Sequence, residues 1–212
     1  MHQQRHNLPG LFISFEGIEG VGKSTQTQLL KKSLENLGYT VLLSREPGGT
    51  DLGDTLRQCL LSEYNSSLNA PTELCILLAS RIHHINTIIK PALAQGKIVI
   101  VDRFKDASIA YQGFGRQLGL DFIQQVHSLF GLDIEPDITF LLDLSVNHSR
   151  ERTLARGASD RIEKENDLFF QRVKEGYLIL AKMYPSRIHL LDASADKDTV
   201  ASNILKLVRD LQ

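Results

Sequence analysis

Apolar positions along this chain follow two alternating periods. Contiguous apolar, partly β-branched runs at 11–15, 40–44, 97–101, 138–142 and 188–191 have the length of buried strands. Between them, apolar residues recur at helical spacing: Leu30, Leu34 and Leu37, closed by Gly38; Leu52, Leu56, Cys59 and Leu60; then Leu74, Leu77, Leu78, Ile82, Ile85 and Ile89. The same period returns at Phe122, Val126 and Leu129, over 168–184, and at Val200, Ile204, Leu207, Val208 and Leu211, while Ser145 is placed to cap the helix after the fourth strand. Strand and helix alternating in this way predict an α/β fold of three layers. Its sheet is mostly parallel and five-stranded, with helices on both faces and right-handed crossovers.

Composition narrows the reading. At 212 residues and 42% hydrophobic content the chain suffices for one core, so residues 11–212 are expected as a single domain, with 1–10 as a flexible polar tail and 62–69 as a loop. A net charge of −1 lacks the basic field of a nucleic-acid binder, so no nucleic-acid partner is expected. No run reaches membrane-spanning length and the N-terminus has no signal-like apolar segment, so no membrane partner is expected either. Two cysteines, Cys59 and Cys75, sit in apolar helical patterns without ligand spacing, which favours a reducing, cytoplasmic setting. His83 and His84 read as polar-face or interface residues.

The first strand runs into Gly17-Ile18-Glu19-Gly20-Val21-Gly22-Lys23-Ser24, followed by Thr25 and a helix. This is the phosphate-binding loop pattern in its required strand–loop–helix context. Glycines let successive backbone N–H groups wrap a phosphate at a helix N-terminus, Lys23 reaches the β/γ-phosphates, and the Ser24 hydroxyl suits Mg²⁺. ATP binding is therefore assigned to residues 17–25.

Further candidates stand beyond the carboxyl ends of the other strands, the edge where open parallel sheets bind ligands. Arg45-Glu46-Pro47-Gly48-Gly49-Thr50 follows the second strand, and Asp102-Arg103 ends the third, with Asp102 a second candidate metal ligand. Ser108, Tyr111 and Gln112 add a hydroxyl, a ring and an amide, a set that suits a nucleobase but also serves ordinary packing. Arg81 falls within an apolar helix stripe and either pairs structurally or points into a ligand cleft. Around 150–165 the arginines Arg150, Arg152 and Arg156 precede Gly157-Ala158-Ser159-Asp160-Arg161-Ile162-Glu163, a break that can hinge a lid over transferring phosphates; a surface role stays open for Arg150.

These stretches together resemble the thymidylate kinase family of P-loop nucleoside monophosphate kinases over nearly the whole chain. The match rests on the Gly17 loop, Arg45-Glu46-Pro47-Gly48-Gly49-Thr50, Ala79-Ser80-Arg81, Asp102-Arg103-Phe104, Ala110-Tyr111-Gln112-Gly113 and Asp160-Arg161-Ile162-Glu163. The resemblance implies the P-loop NTPase fold, transfer of the γ-phosphoryl group of ATP to dTMP for dTTP synthesis, Mg²⁺ as cofactor, and a homodimer. It also implies that Arg45 and Arg103 face the acceptor phosphate, Arg81 and Gln112 the base, Tyr111 the sugar C2′ and Glu19 the 3′-hydroxyl. Gly20 stands where some members carry an arginine, which implies transition-state charge from the lid, through Arg156 and Arg152, with Arg161 a further candidate.

One position departs from the family pattern. Leu77 stands where a phenylalanine usually stacks on thymine, which forfeits about 1–3 kcal/mol of base stacking unless Phe104 or Phe114 supplies a ring. Leu77 keeps open a P-loop kinase for another nucleoside or nucleotide. A nucleotide-dependent switch is a third reading, although the Asn-Lys-x-Asp guanine motif is absent.

Overall fold

The computed structural model describes residues 6–62, 68–157 and 160–211. The expected loop at 62–69 and the first half of the expected tail thus lie largely outside the described residues. Five strands take up the apolar runs to within one residue: β1 (Leu11–Glu16), β2 (Val41–Arg45), β3 (Ile98–Asp102), β4 (Ile138–Asp143) and β5 (Ile188–Asp192). They pair in the order β2-β3-β1-β4-β5, every neighbour parallel. The middle strands β3, β1 and β4 are buried on both faces, which is why their sequences are apolar without alternation.

Helices α1 (Lys23–Asn36) and α9 (Lys197–Arg209) pack together on one face. Crossovers of one hand send α2 (Asp51–Leu61), α3 (Ala70–His84), α4 (Lys90–Ala94), α5 (Lys105–Ser108), α6 (Leu120–Leu129), α7 (Val146–Arg156) and α8 (Asp167–Met183) to the other. The chain therefore leaves the neighbouring strands β1 and β3 toward opposite faces, and a crevice opens between their carboxyl ends. Side-chain oxygens cap the starts of these helices, among them Thr50, Asn69, Asn166 and, as predicted, Ser145.

Two segments wind more widely than an α-helix. Ile85–Ile89 links α3 to α4 just before Pro91, whose missing N–H and bulky ring would break a regular turn. The second, Ile109–Gly115, extends α5, with the Arg116 N–H donating to the Tyr111 carbonyl at 2.7 Å. The wide turn buries Tyr111 and Gln112 side by side. It lies directly on α8: a Cβ at Gly115 would stand 2.7 Å from the Phe169 ring, and one at Gly176 would stand 2.7 Å from the Phe114 ring.

Three expectations need correction. Residues 6–10 belong to the packed body, with the Gly10 N–H donating to the Leu93 carbonyl at 2.9 Å and His6 lying 3.1 Å from the Asp137 carboxylate. His84 is fully buried instead of lying on a polar face, because it is hydrogen-bonded on both ring nitrogens. Cys59 and Cys75 are exposed, although their neighbours Leu60 and Leu74 are buried.

Gly176→Ala tests the close seat of the wide turn on α8. Overpacking of about 1–3 kcal/mol exceeds the helix-propensity gain of about 1 kcal/mol, so the denaturation midpoint is expected to fall.

Candidate active site

The loop after β1 turns through Gly17, Gly20 and Gly22 at positive φ, and Gly22, in the left-handed region, opens α1. The ammonium of Lys23 folds back to donate to the carbonyls of Ile18 at 2.8 Å and Gly17 at 3.1 Å. Burial, reinforced by the Arg103 charge, pulls its pKa down to about 8. Ser24 donates its hydroxyl to the Asp102 carboxylate at 3.0 Å, so the two candidate metal ligands adjoin.

Gly20 explains how α7 reaches the loop. A Cβ there would stand 2.6 Å from the Ser149 carbonyl oxygen and 3.3 Å from Arg152 Cβ. Ser149 in turn donates to the Glu19 carbonyl at 2.6 Å. The space a side chain at position 20 would occupy is filled by the helix that carries Arg152.

Arg103 lies at the centre of the crevice, its backbone in the left-handed region at φ 68°. One Nη donates to the Gly17 carbonyl at 2.7 Å and to the Tyr177 hydroxyl at 3.2 Å, and the other donates to Glu19 at 2.8 Å. The guanidinium lies 4.8 Å from the centre of the Tyr111 ring, whose hydroxyl donates to Glu19 at 2.7 Å. Behind Tyr177 stands Glu16, 2.8 Å from its hydroxyl and 2.7 Å from the Phe104 N–H. Burial, with the nearby Asp106 charge, raises Glu16 to about 8. Sequence reasoning missed Glu16 and Tyr177; an acid ending a wholly apolar strand was the available signal for the first.

Two clefts meet here. The larger, about 1,130 Å³, holds Lys23, Ser24, Arg45, Asp102 and Arg152; the smaller, about 580 Å³, is walled by Pro47, Leu60, Leu77, Tyr111, Gln112 and Ile162. Glu19, Glu46, Arg57, Arg103 and Asp160 line both. Arg57, also missed, donates to the Pro47 carbonyl at 3.1 Å, and burial plus the Arg45 and Arg103 charges lower its pKa. Its signal was position: it lies on the helix that begins at the glycine turn beyond β2. Arg45 is exposed and paired with Asp54 at 3.1 Å.

Arg81 does both things the sequence left open. It lines the smaller cleft, and it is buried and paired with Glu46 at 2.6 Å, Ser108 and His127 at 2.9 Å and the Phe104 carbonyl at 3.0 Å. Glu46 also meets His84 at 3.0 Å, and His84 meets Ser44 at 2.7 Å. Burial, with Arg81 and Lys105 beside it, lowers His127 to about 2; the imidazole is neutral and its Nε2 accepts from Arg81.

Leu77 gains no substitute ring. Phe104 is buried edge-on against Phe12, their centroids 4.9 Å apart, and Phe114 packs at Gly176; neither lines the smaller cleft, whose one aromatic wall residue among those described is Tyr111.

In the expected lid, Arg152 reaches the larger cleft and Arg150 pairs with Asp167. Gly157 ends α7, and Asp160 turns the chain by accepting the N–H groups of Ile162 at 2.9 Å and Glu163 at 3.0 Å. Asp160 lines both clefts and Glu163 the larger. Arg161 points inward, donating to Glu73 at 2.7 Å and to the Leu60 carbonyl at 2.9 Å. The side chain of Arg156 lies outside the described residues.

The sequence model of the family described as thymidylate kinase matches residues 15–204. The chain belongs to the thymidylate kinase family. It is similar to the thymidylate kinases of Exiguobacterium sibiricum, at 42% identity over 94% of each chain, and of Ruthia magnifica, at 45% over 92% of this chain and 95% of that one. The crystal structure of thymidylate kinase from Ehrlichia chaffeensis superposes with a TM-score of 0.77 at 37% identity, covering 94% of this chain and 98% of that one. The α/β sheet with its phosphate loop is thus the thymidylate kinase fold. Among the described residues no helix is long and apolar enough to cross a membrane.

The neutral His127 has a pH signature. An imidazole depressed in the fold but ordinary in the unfolded chain stabilises the protein above pH 6.5, and that contribution drains away at about 1.4 kcal/mol per pH unit on acidification. His127→Asn, which keeps an acceptor but does not titrate, is expected to flatten the fall in thermal midpoint between pH 6.5 and 4.

Proposed function

We propose that the chain transfers the γ-phosphoryl group of ATP to the 5′-phosphate of dTMP, giving dTDP and ADP. The carrying observation is that the two clefts share the lining residues Glu19, Glu46, Arg57, Arg103 and Asp160, so that the cations Arg57 and Arg103 face both. A donor cleft and an acceptor cleft sharing cations at their junction suit a reaction whose main obstacle is bringing two polyanions into line.

Each residue then has a task. The loop N–H groups and Lys23 receive the donor phosphates, and Arg45, Arg57 and Arg103 receive the acceptor phosphate. Ser24 and Asp102 present adjacent hard oxygen donors that fit Mg²⁺, which when bound neutralises charge on the donor phosphate oxygens. Glu19, already held by Arg103 and Tyr111, is placed for the sugar 3′-hydroxyl, and the Tyr111 ring crowds the 2′ side. Arg81, Ser108 and Gln112 face the base, against which Leu77 provides aliphatic contact. Arg152 and Arg156 supply transition-state charge from the lid formed by 150–165, where Gly157, Asp160 and Glu163 shape the turn. Arg161, tied to Glu73, supports that turn from below.

Turnover of ATP measured with dTMP, dUMP, UMP, dCMP, AMP and thymidine is expected to favour dTMP. Lys23→Ala is expected to abolish transfer while leaving the thermal transition in place. Another preferred acceptor, or acceptor-independent hydrolysis, overturns the proposal.

The protein is further proposed to work as a cytoplasmic homodimer. Exposed Cys59 and Cys75 suit a reducing compartment, and α6 carries an exposed stripe, Phe122, Leu129 and the adjoining Phe130, 45%, 81% and 53% accessible. Sizing in solution is expected to give twice the 23.8 kDa of one chain.

A further inference from the structure

Beside Gln112 lies an acid whose contact with that amide none of the roles above requires. Glu73, on the first turn of α3, is completely buried. It accepts from the Gln112 side-chain nitrogen at 2.7 Å, from Arg161 at 2.7 Å and from Arg116 at 3.1 Å. Arg116 is itself held by Glu165 at 2.5 Å and lies over the Phe169 ring. Two guanidiniums therefore fix the carboxylate in place and keep it ionised, although burial alone would favour its neutral form.

An ionised carboxylate only accepts hydrogen bonds. The Gln112 amide can thus meet Glu73 only through its NH₂ group; the flipped amide would set its oxygen against a carboxylate oxygen at hydrogen-bond distance. Half of the NH₂ is spent on Glu73. What remains for the cleft that Gln112 lines is a carbonyl acceptor and one N–H donor, in a fixed order.

We infer that Glu73 is a specificity-determining positioning residue: by locking the Gln112 amide in one orientation it makes the cleft select bases with an imide edge. An imide offers a ring N–H to the amide oxygen and a carbonyl to the amide N–H. Cytosine presents the reverse pattern, an acceptor ring nitrogen beside an amino group, and could be read only by the flipped amide that Glu73 forbids. A site that leaves buried polar groups unpaired against the wrong ligand discriminates strongly.

This inference rests on the dTMP reading above. The test is the ratio of kcat/KM for dTMP to kcat/KM for dCMP, measured with saturating ATP in the full chain. In Glu73→Gln the residue at 73 can donate as well as accept, so either orientation of Gln112 is allowed, and the ratio is expected to fall at least tenfold. If Glu73→Gln does not fold, Glu73→Asp is read in the same way, because the shorter acid withdraws from Gln112. An unchanged ratio in a folded Glu73 variant overturns the inference alone. A wild-type chain that does not prefer dTMP overturns the functional reading on which it stands.

Discussion

A site built to receive two polyanions concentrates positive charge, and that charge has to be stable before any phosphate arrives. Here four of the cations around the crevice are held by oxygens. Lys23 rests on the Ile18 and Gly17 carbonyls, Arg103 on Glu19, the Gly17 carbonyl and Tyr177, Arg57 on the Pro47 carbonyl, and Arg45 on Asp54. Buried charge without such partners would cost several kcal/mol per group. The acids that accompany the arginines are therefore a condition of the site's existence.

The same constraint reaches below the cleft in two chains. One runs from Arg103 through Tyr177 to Glu16 and the Phe104 amide, and so ties the third strand's exit to the end of the first. The other runs from Arg81 through Glu46 to His84 and Ser44, and through His127 on its opposite side. Both anchor flexible guanidiniums to the sheet itself, and the rigid element carries the precision that catalysis by positioning demands.

The strands were legible because burial on both faces leaves an uninterrupted apolar run, and the phosphate loop because its glycines have few alternatives. Arg45, Arg81, Asp102 and Arg103 were legible because they stand just beyond such runs or interrupt an apolar stripe. Glu73, His127 and Tyr177 were not. Each lies inside an ordinary helix or strand pattern, and its partner is 30 or more residues away in most cases, so its meaning depends on tertiary contact. His84 was misread for the same reason: a polar residue late in a helix looks solvent-facing until Ser44 and Glu46 are brought against it.

The wide turn at Ile109–Gly115 stores chemical information in a residue count. A regular α-helix turns roughly 100° per residue, which would send the neighbours Tyr111 and Gln112 toward different surroundings. Across the wide turn the Tyr111 ring and the Gln112 amide both line the smaller cleft. Losing a single residue from this segment would restore a more regular helix and yet rotate the amide out of register with the acid beneath it. Local regularity and the Gln112–Glu73 contact are in opposition here, and the chain has kept the second.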